Sequence, residues 1–405
     1  MNRRIDPWIL LITITMVLFG LTMVYSASAM VAAEWSGDEL TYVKRQLIAV
    51  AVGSVVCGVS ALTPMRTVRQ TYRYLCFACL TGLALCYVPF VSNEVNGASR
   101  WIGFGSVNIQ PSEFAKIIMM FAMADQLHRW RGYLHDVRVV GRVMRWPLLF
   151  MALVFFQPDF GTTAIIGGLA ALMLFTAGLP WRHISVIGGG AVMIGGPLMV
   201  MEPYRVRRLL SFMNPWQSAQ GDGYHTIQSW LAMYSGGMWG QGGGNSIAKL
   251  HFLPEPWTDY IGAVIAEEYG FSGLLLLIVL YSGMVWRGLY IAGRARDAFS
   301  TYIATTITAM IGFEAFFNLG VIMGLLPSTG LVLPFISYGA TAMMSHLWAI
   351  GILLSIAAEA DETPVEAGWP TSILSQKTPQ PPQPLQAAEK SSRREQAEQA
   401  VSWQK

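Results

Sequence analysis

The sequence predicts an all-α integral membrane protein of about ten transmembrane helices, with one long extracytoplasmic loop between spans seven and eight. Three observations carry this. The 405 residues are 53% hydrophobic and 13% charged, with a mean hydropathy of +0.44, which is a membrane composition. The apolar residues fall into runs, most of them reaching the ~17–25 residues that cross a bilayer. Lysine and arginine favour alternate connections, as topology requires. The net charge of +3 and the lack of a basic cluster in the sequence speak against nucleic acid as a partner.

The runs follow in order. Trp8–Met30 is span one, and it lacks the small-residue cleavage site of a removed signal. Gln46–Leu62 and Tyr74–Phe90 are spans two and three. A connection rich in Asn, Gly and Ser, Val91–Gln110, leads to span four, Pro111–Leu127. Trp146–Gln157 is an unusually short apolar run, interrupted by Pro158-Asp159-Phe160-Gly161 and followed by Thr162–Ala177. Ile184–Met201 is span seven. Asp259–Trp286, Thr301–Leu325 and Val332–Ala357 are spans eight to ten. The short pair around Pro158 reads either as two crossings or as one re-entrant hairpin, which is stable only where protein covers the exposed backbone.

Residues 1–360 thus form the polytopic domain and 202–258 its long outer loop. Residues 361–405 turn to Pro, Gln, Ser and charged residues with nothing to build a core, the composition of a disordered tail. With the N-terminus inside, inner connections hold fourteen Lys and Arg and outer ones seven. Both termini are therefore expected in the cytoplasm, and the long loop outside. The four cysteines lie in apolar runs. Cys76-x-x-Cys79 has no second pair or histidine beside it to make a zinc or redox site.

Candidate chemistry gathers where the long loop meets span eight. Carboxylates beside or within a membrane segment are costly and generally have a partner or a task. Glu255 stands just before the span and Asp259 at its start; Glu267 and Glu268 fall about two turns inside it. The loop opens with Arg205, Arg207 and Arg208, against the insertion bias. These suit either a phosphate held in a guanidinium fork or lipid headgroups. A carboxylate base facing an anion clamp is what group transfer on a phosphorylated lipid requires. Glu267 and Glu268 point about 100° apart on a helix, so at least one needs a cation. Lys116 is the candidate, with Glu113 three residues earlier competing for it. The glycine-dense stretch 236–244 reads first as plain loop chemistry, and the loop tryptophans as headgroup anchors.

Several motifs together resemble the SEDS family (shape, elongation, division and sporulation). They are Asn96-Gly-Ala-Ser-Arg-Trp-Ile-Gly, Gln110-Pro-Ser-Glu113-Phe-Ala-Lys116, Gln157-Pro-Asp159-Phe-Gly-Thr, Leu253-Pro-Glu255 with Thr258-Asp259, Glu267-Glu268, Asn318-Leu-Gly-Val-Ile-Met-Gly-Leu-Leu-Pro and Leu333-Pro-Phe-Ile-Ser337-Tyr-Gly. The resemblance runs from about residue 8 to 357. Tyr25-Ser-Ala-Ser, Lys44-Arg-Gln and Gly240-Gln-Gly-Gly-Gly-Asn-Ser place it nearer the division-type members than the elongation-type ones. It implies a peptidoglycan glycosyltransferase that polymerises lipid II on the outer face of the bacterial cytoplasmic membrane, at the division septum. Its partners would be a class B penicillin-binding protein and other division proteins.

Carried over by motif, the family's essential aspartate falls on Asp259, its Glu and Lys on Glu113 and Lys116, and its basic residues on Arg205, Arg207 and Arg208; the expected roles are Asp259 as general base and Glu255 as its catalytic neighbour. Arg205, Arg207, Arg208, Lys116, Glu113 and Trp257 form the substrate-binding set, and Asp159, Glu267 and Ser337 support it. No tightly bound cofactor is implied; a divalent cation (Mg or Mn) at Glu255 and Asp259 is compatible with the motif. The chain departs from the pattern twice, with Trp257 where a His is usual and Gly339-Ala-Thr-Ala where Gly-Gly-Ser-Ser is usual. Two other classes share the broad features. A lipid II flippase would also show a broken helix and intramembrane carboxylates, although no inverted repeat relates the halves. A non-catalytic division scaffold would tolerate the two departures.

Overall fold

The structure is a computed structural model that describes residues 5–88, 92–95, 98–104, 107–200, 203–221, 223–328 and 330–361. Within these, a few side chains, that of Arg205 included, lie outside the described set. So does the expected tail beyond residue 361.

Each of the ten expected runs is a helix: α1 Pro7–Ser36, α2 Thr41–Leu62, α3 Met65–Leu85, α4 Pro111–Trp130, α5 Val137–Phe155, α6 Phe160–Thr176, α7 Trp181–Val200, α10 Ile261–Arg294, α11 Ala298–Ile322 and α12 Ala340–Asp361. Two shorter helices, α8 Pro203–Met213 and α9 Tyr224–Gly236, lie in the long loop. Helices α1, α2, α10, α11 and α12 are by themselves long and apolar enough to cross a bilayer. Central α4 carries charge yet is buried nearly throughout, so its polar groups must find partners within the bundle.

Local chemistry sets the ends. Asp6 caps α1, accepting from the N–H groups of Trp8 and Ile9 at 3.1 Å. Its carboxylate also takes Arg287 at 2.6 Å, tying the start of α1 to the far end of α10. Asp136, Asp159 and Asp297 cap α5, α6 and α11 in the same way. Helices α2 and α12 pack so closely that a Cβ on Gly351 would lie 2.4 Å from the carbonyl oxygen of Cys57, the small-residue contact typical of helices in lipid. The four cysteines are free and set among apolar side chains.

Four features differ from the sequence reading. The polar connection before α4 is a three-stranded antiparallel sheet, β1 Ser92–Val95, β2 Ala98–Phe104 and β3 Val107–Ile109. The short run at 146–157 belongs to a 19-residue helix whose first half is hidden in sequence by Arg138, Arg142 and Arg145; arginine extends its alkyl stem along the helix and keeps its charge in water. Residues 332–339 are apolar but not helical, and Phe335 there has φ 66°. Basic residues dispersed in sequence do gather in space, at the end of the bundle away from Asp259.

Helix α10 is broken at Gly270 (φ 67°, ψ −161°). The freed backbone does not face lipid unpaired, which would be prohibitive. It exchanges hydrogen bonds with the glycine-dense stretch: Phe271 N donates to Gly237 O at 2.8 Å, Gln241 N to Glu267 O at 2.9 Å and Gly242 N to Glu268 O at 3.0 Å. A Cβ on Gly270 would lie 2.5 Å from Gly240 N. Glycine on both sides is therefore a packing requirement.

Candidate active site

Asp259 occupies a tight turn just before α10, and three segments hold its backbone. Asn318 of α11 donates from Nδ2 to Asp259 O at 2.9 Å and to Leu331 O at 2.7 Å. Ser337 Oγ donates to Thr258 O at 2.7 Å and accepts from Leu333 N at 2.9 Å. Tyr338 N donates to Trp257 O at 2.8 Å. Gln46 of α2 then grips the non-helical segment from behind, donating to Ser337 O and accepting from Gly339 N, both at 3.2 Å. A carboxylate so positioned loses little entropy on orienting its reacting oxygen.

The carboxyl group itself is left chemically uneasy. Desolvation in the turn and the charge of nearby Glu255 push it up to about 6, against the opposing fields of Arg208 and Arg100. Glu255 is exposed, with φ 47°, a conformation held because its carbonyl accepts from both the N–H and the hydroxyl of Thr258, at 3.1 and 2.8 Å. Arg208 stands on α8, where Arg207 is also exposed. The expected arginine set is thus on a short helix rather than a loose loop; Arg205 lies in its first turn, its side chain outside the described residues.

Two contributors were missed by the sequence reading. Arg100 of β2 reaches the cluster from the sheet and pairs with Asp159 at 3.7 Å. Asp159 caps α6, accepting from Thr162 N at 3.1 Å, and also takes Gln110 Nε2 at 3.2 Å, so it orients Arg100 from behind. Asn318 stood in the sequence as the first residue of a family-like motif, with no role assigned to it.

Other expected site residues lie elsewhere. Glu113 and Lys116 are buried inside the bundle, 2.9 Å apart. Lys116 also meets Glu314 Oε1 at 2.5 Å, and the other oxygen of Glu314 meets His346 Nε2 at 2.5 Å. Ser345 donates to Glu113 at 3.3 Å. The expected pairing of Lys116 with Glu267 or Glu268 is therefore corrected: a fully buried ammonium takes the two carboxylates that packing brings it. Neither Glu113 nor Lys116 offers a side chain to an open surface, and neither does Trp257, 4% exposed and packed tilted against Tyr42 with ring centroids 4.8 Å apart.

Glu267 accepts four hydrogen bonds, from Ser235, Ser246 and the N–H groups of Ile247 and Ala248, and so anchors the outer loop to α10. Glu268 meets Lys249 at 2.9 Å and Ser26 at 2.5 Å. Among the described residues, no three or more His, Cys, Asp or Glu gather as a ready metal cage. Glu255 and Asp259 offer two oxygen ligand groups, which suits a Mg-type ion completed by water and substrate phosphate.

The sequence matches the cell cycle protein family, which groups FtsW, RodA and SpoVE, over residues 7–362. It is 37% identical over 367 residues to a probable peptidoglycan glycosyltransferase FtsW from Geobacter metallireducens, covering 89% of this chain and 97% of that one. It is equally 37% identical to stage V sporulation protein E of Bacillus subtilis, over 88% of this chain and 98% of that one. Among solved structures, one reported under the structural coordination of polymerization and crosslinking by a peptidoglycan synthase complex superposes with a TM-score of 0.73. It is 26% identical, over 89% of this chain and 99% of that one. The rod shape determining protein RodA of Thermus thermophilus, 24% identical over 88% of this chain and 97% of that one, shares the fold at a TM-score of 0.65.

Proposed function

The chain belongs to the cell cycle protein family, and from that premise we propose a peptidoglycan glycosyltransferase that polymerises lipid II, with Asp259 as its general base. The relatives' names carry the reaction class; the position and charge of Asp259 carry the assignment of the base. Its carboxyl, raised to about 6, is ionised at neutral pH yet more basic than an ordinary carboxylate, as a general base should be.

Asp259 takes the proton from the 4-hydroxyl of the acceptor N-acetylglucosamine. The freed oxygen bonds to C1 of the donor N-acetylmuramic acid, with inversion, as the bond from C1 to the pyrophosphate oxygen breaks. The electron pair leaves on undecaprenyl pyrophosphate. Arg208 and Arg100, with Arg207 and Arg205 on the same short helix, draw that negative charge to the outer mouth of the bundle. A divalent cation held by Glu255 and Asp259 would add Lewis-acid stabilisation of the same leaving group. Asn318 and Ser337 keep the base aimed. The apolar grooves between helices take the polyprenyl tails in the outer leaflet of the cytoplasmic membrane, with both termini inside and the enzyme at the septum. A class B penicillin-binding protein would cross-link the product.

The test is gel-resolved glycan synthesis from labelled lipid II by purified protein, with and without its cognate transpeptidase, beside Asp259→Asn. Polymer that vanishes in the variant supports the reading. No polymer in any condition, with lipid II crossing vesicle membranes intact, would replace it with a flippase.

A further inference from the structure

At the end of the bundle opposite Asp259, α3 and α5 both pack on α4 and meet each other only weakly. The cleft between them is lined by arginine. One cavity of about 310 Å³ is bordered by Arg73, Gln126, Arg129, Trp130, Arg142 and Arg145. A second, of about 450 Å³, is bordered by Arg66, Arg69, Gln70, Arg73 and Arg129. Arg73 and Arg129 border both, so the two cavities adjoin.

Six guanidinium groups meet there, and the carboxylate among them is Asp125, fully buried and already engaged. It accepts from Arg69 at 2.9 Å, Arg129 at 2.8 Å and Tyr72 at 2.8 Å. It therefore holds two arginines in place and neutralises one charge. Arg142 lies over the Trp130 ring, 5.4 Å from its centroid, which fixes its direction without cancelling its charge. Insertion bias explains arginines on this side of a membrane; it does not explain their convergence on one concave surface. Gathering like charges costs energy unless an anion offsets it.

The surroundings identify the kind of anion. Arg73 and Arg145 sit about two turns inside their helices, near the level of the headgroups. Beyond them toward the bilayer stand Tyr74 and Phe77, 78% and 75% exposed, and Leu148 and Leu149, 53% and 44% exposed. A charged cavity that opens sideways onto exposed apolar side chains suits an amphiphile. We propose that the α3–α4–α5 cleft is a binding site for an anionic phospholipid of the inner leaflet. Two adjoining cavities sharing two arginines best fit a two-phosphate headgroup, that of diphosphatidylglycerol. Basic pockets between membrane helices bind such headgroups, and the guanidinium fork matches phosphate oxygens.

Native mass spectrometry of the delipidated full-length protein in neutral detergent tests this, with diphosphatidylglycerol, phosphatidylcholine, millimolar inorganic phosphate and a soluble hexaglutamate peptide as probes. The expected result is one tightly retained diphosphatidylglycerol and no retained phosphatidylcholine. Combined Arg73→Gln, Arg142→Gln and Arg145→Gln should weaken retention about a hundredfold. Arg182→Gln, on the same side but outside the cleft, should change nothing. Should the triple Gln variant misfold, the triple Lys variant keeps the charge and loses the fork; it must still bind diphosphatidylglycerol more weakly than the native chain. Equal retention by the substituted chains overturns the proposal. Displacement of the lipid by inorganic phosphate alone would make it a free-phosphate site, and preference for hexaglutamate over lipid would make it a docking site for an acidic protein segment.

Discussion

Two groups of carboxylates in this chain face the same physical problem and resolve it in opposite ways. Glu113 and Glu314 lie inside the bundle with Lys116 and His346, every charge answered at hydrogen-bond distance. Asp259 lies in a turn at one mouth of the bundle. Its backbone is fastened by Asn318 and Ser337, while the strongest charge acting on its carboxyl is the like charge of Glu255. The first arrangement leaves no buried carboxylate unanswered. The second spends rigidity on keeping a carboxylate reactive. In a membrane protein, expensive polar residues thus occur in more than one setting: the answered ones pair between helices, and the imperfectly answered one is the proposed base.

The largest effect that would break this comparison concerns Asp259. Asp259→Asn should lower the rate of lipid II polymerisation by about 10²–10⁴. It should do so without thermal destabilisation, and the sign follows from its raised carboxyl. Between its ordinary value of 3.8 and about 6, the fold binds the proton more tightly than the unfolded chain does. That contribution to stability is lost as pH rises through the window. A neutral Asn avoids the cost at pH 7.5, so the melting temperature should not fall. A variant that is both inactive and unstable would place Asp259 with the structural group.

Lys116→Met should do the reverse, leaving buried carboxylates unanswered at a cost of about 3–5 kcal/mol, read as a large loss of melting temperature and folded yield. If it melts like the native chain, the buried network is not what holds α4 to α11. Asn318→Ala lies between the two. It frees one carbonyl contact to the catalytic turn and should lower kcat about tenfold, at one loosened hydrogen-bond pair of about 1–1.5 kcal/mol, while KM changes little.

The smallest effect is the sharpest. Polymerisation by the native enzyme should fall about tenfold per pH unit below about 6, as the base is protonated. In Glu255→Gln that acid limb should move to lower pH, because the like charge raising Asp259 is gone. An unmoved limb would mean that Glu255 does not act on the base.

Much of this was legible in the sequence, for definite reasons. Apolar runs announce helices, because a bilayer leaves the backbone no other economical form. Asp259 stood out because a carboxylate at a span's edge needs an explanation. The partner of Lys116 was not legible, since Glu314 comes 198 residues later and only packing joins them; the i, i+3 rule did find Glu113. Residues 332–339 were read as helix on hydropathy alone, although Pro334 and Gly339 were there to argue otherwise. Arg100 was hidden in a polar stretch whose Asn, Gly and Ser read as loop, while its strands pair through backbone groups that composition does not reveal.

The break at Gly270 sets a load path. The stub of α10 that follows Asp259, residues 261–269, is spliced by backbone hydrogen bonds to the glycines after α9, and Glu267 rivets it to residues 246–248. A pull on α9 from the outer side therefore reaches the turn at Asp259 and the start of the following α10 segment together, since Phe271 N and Ser272 N are bonded to the same stretch.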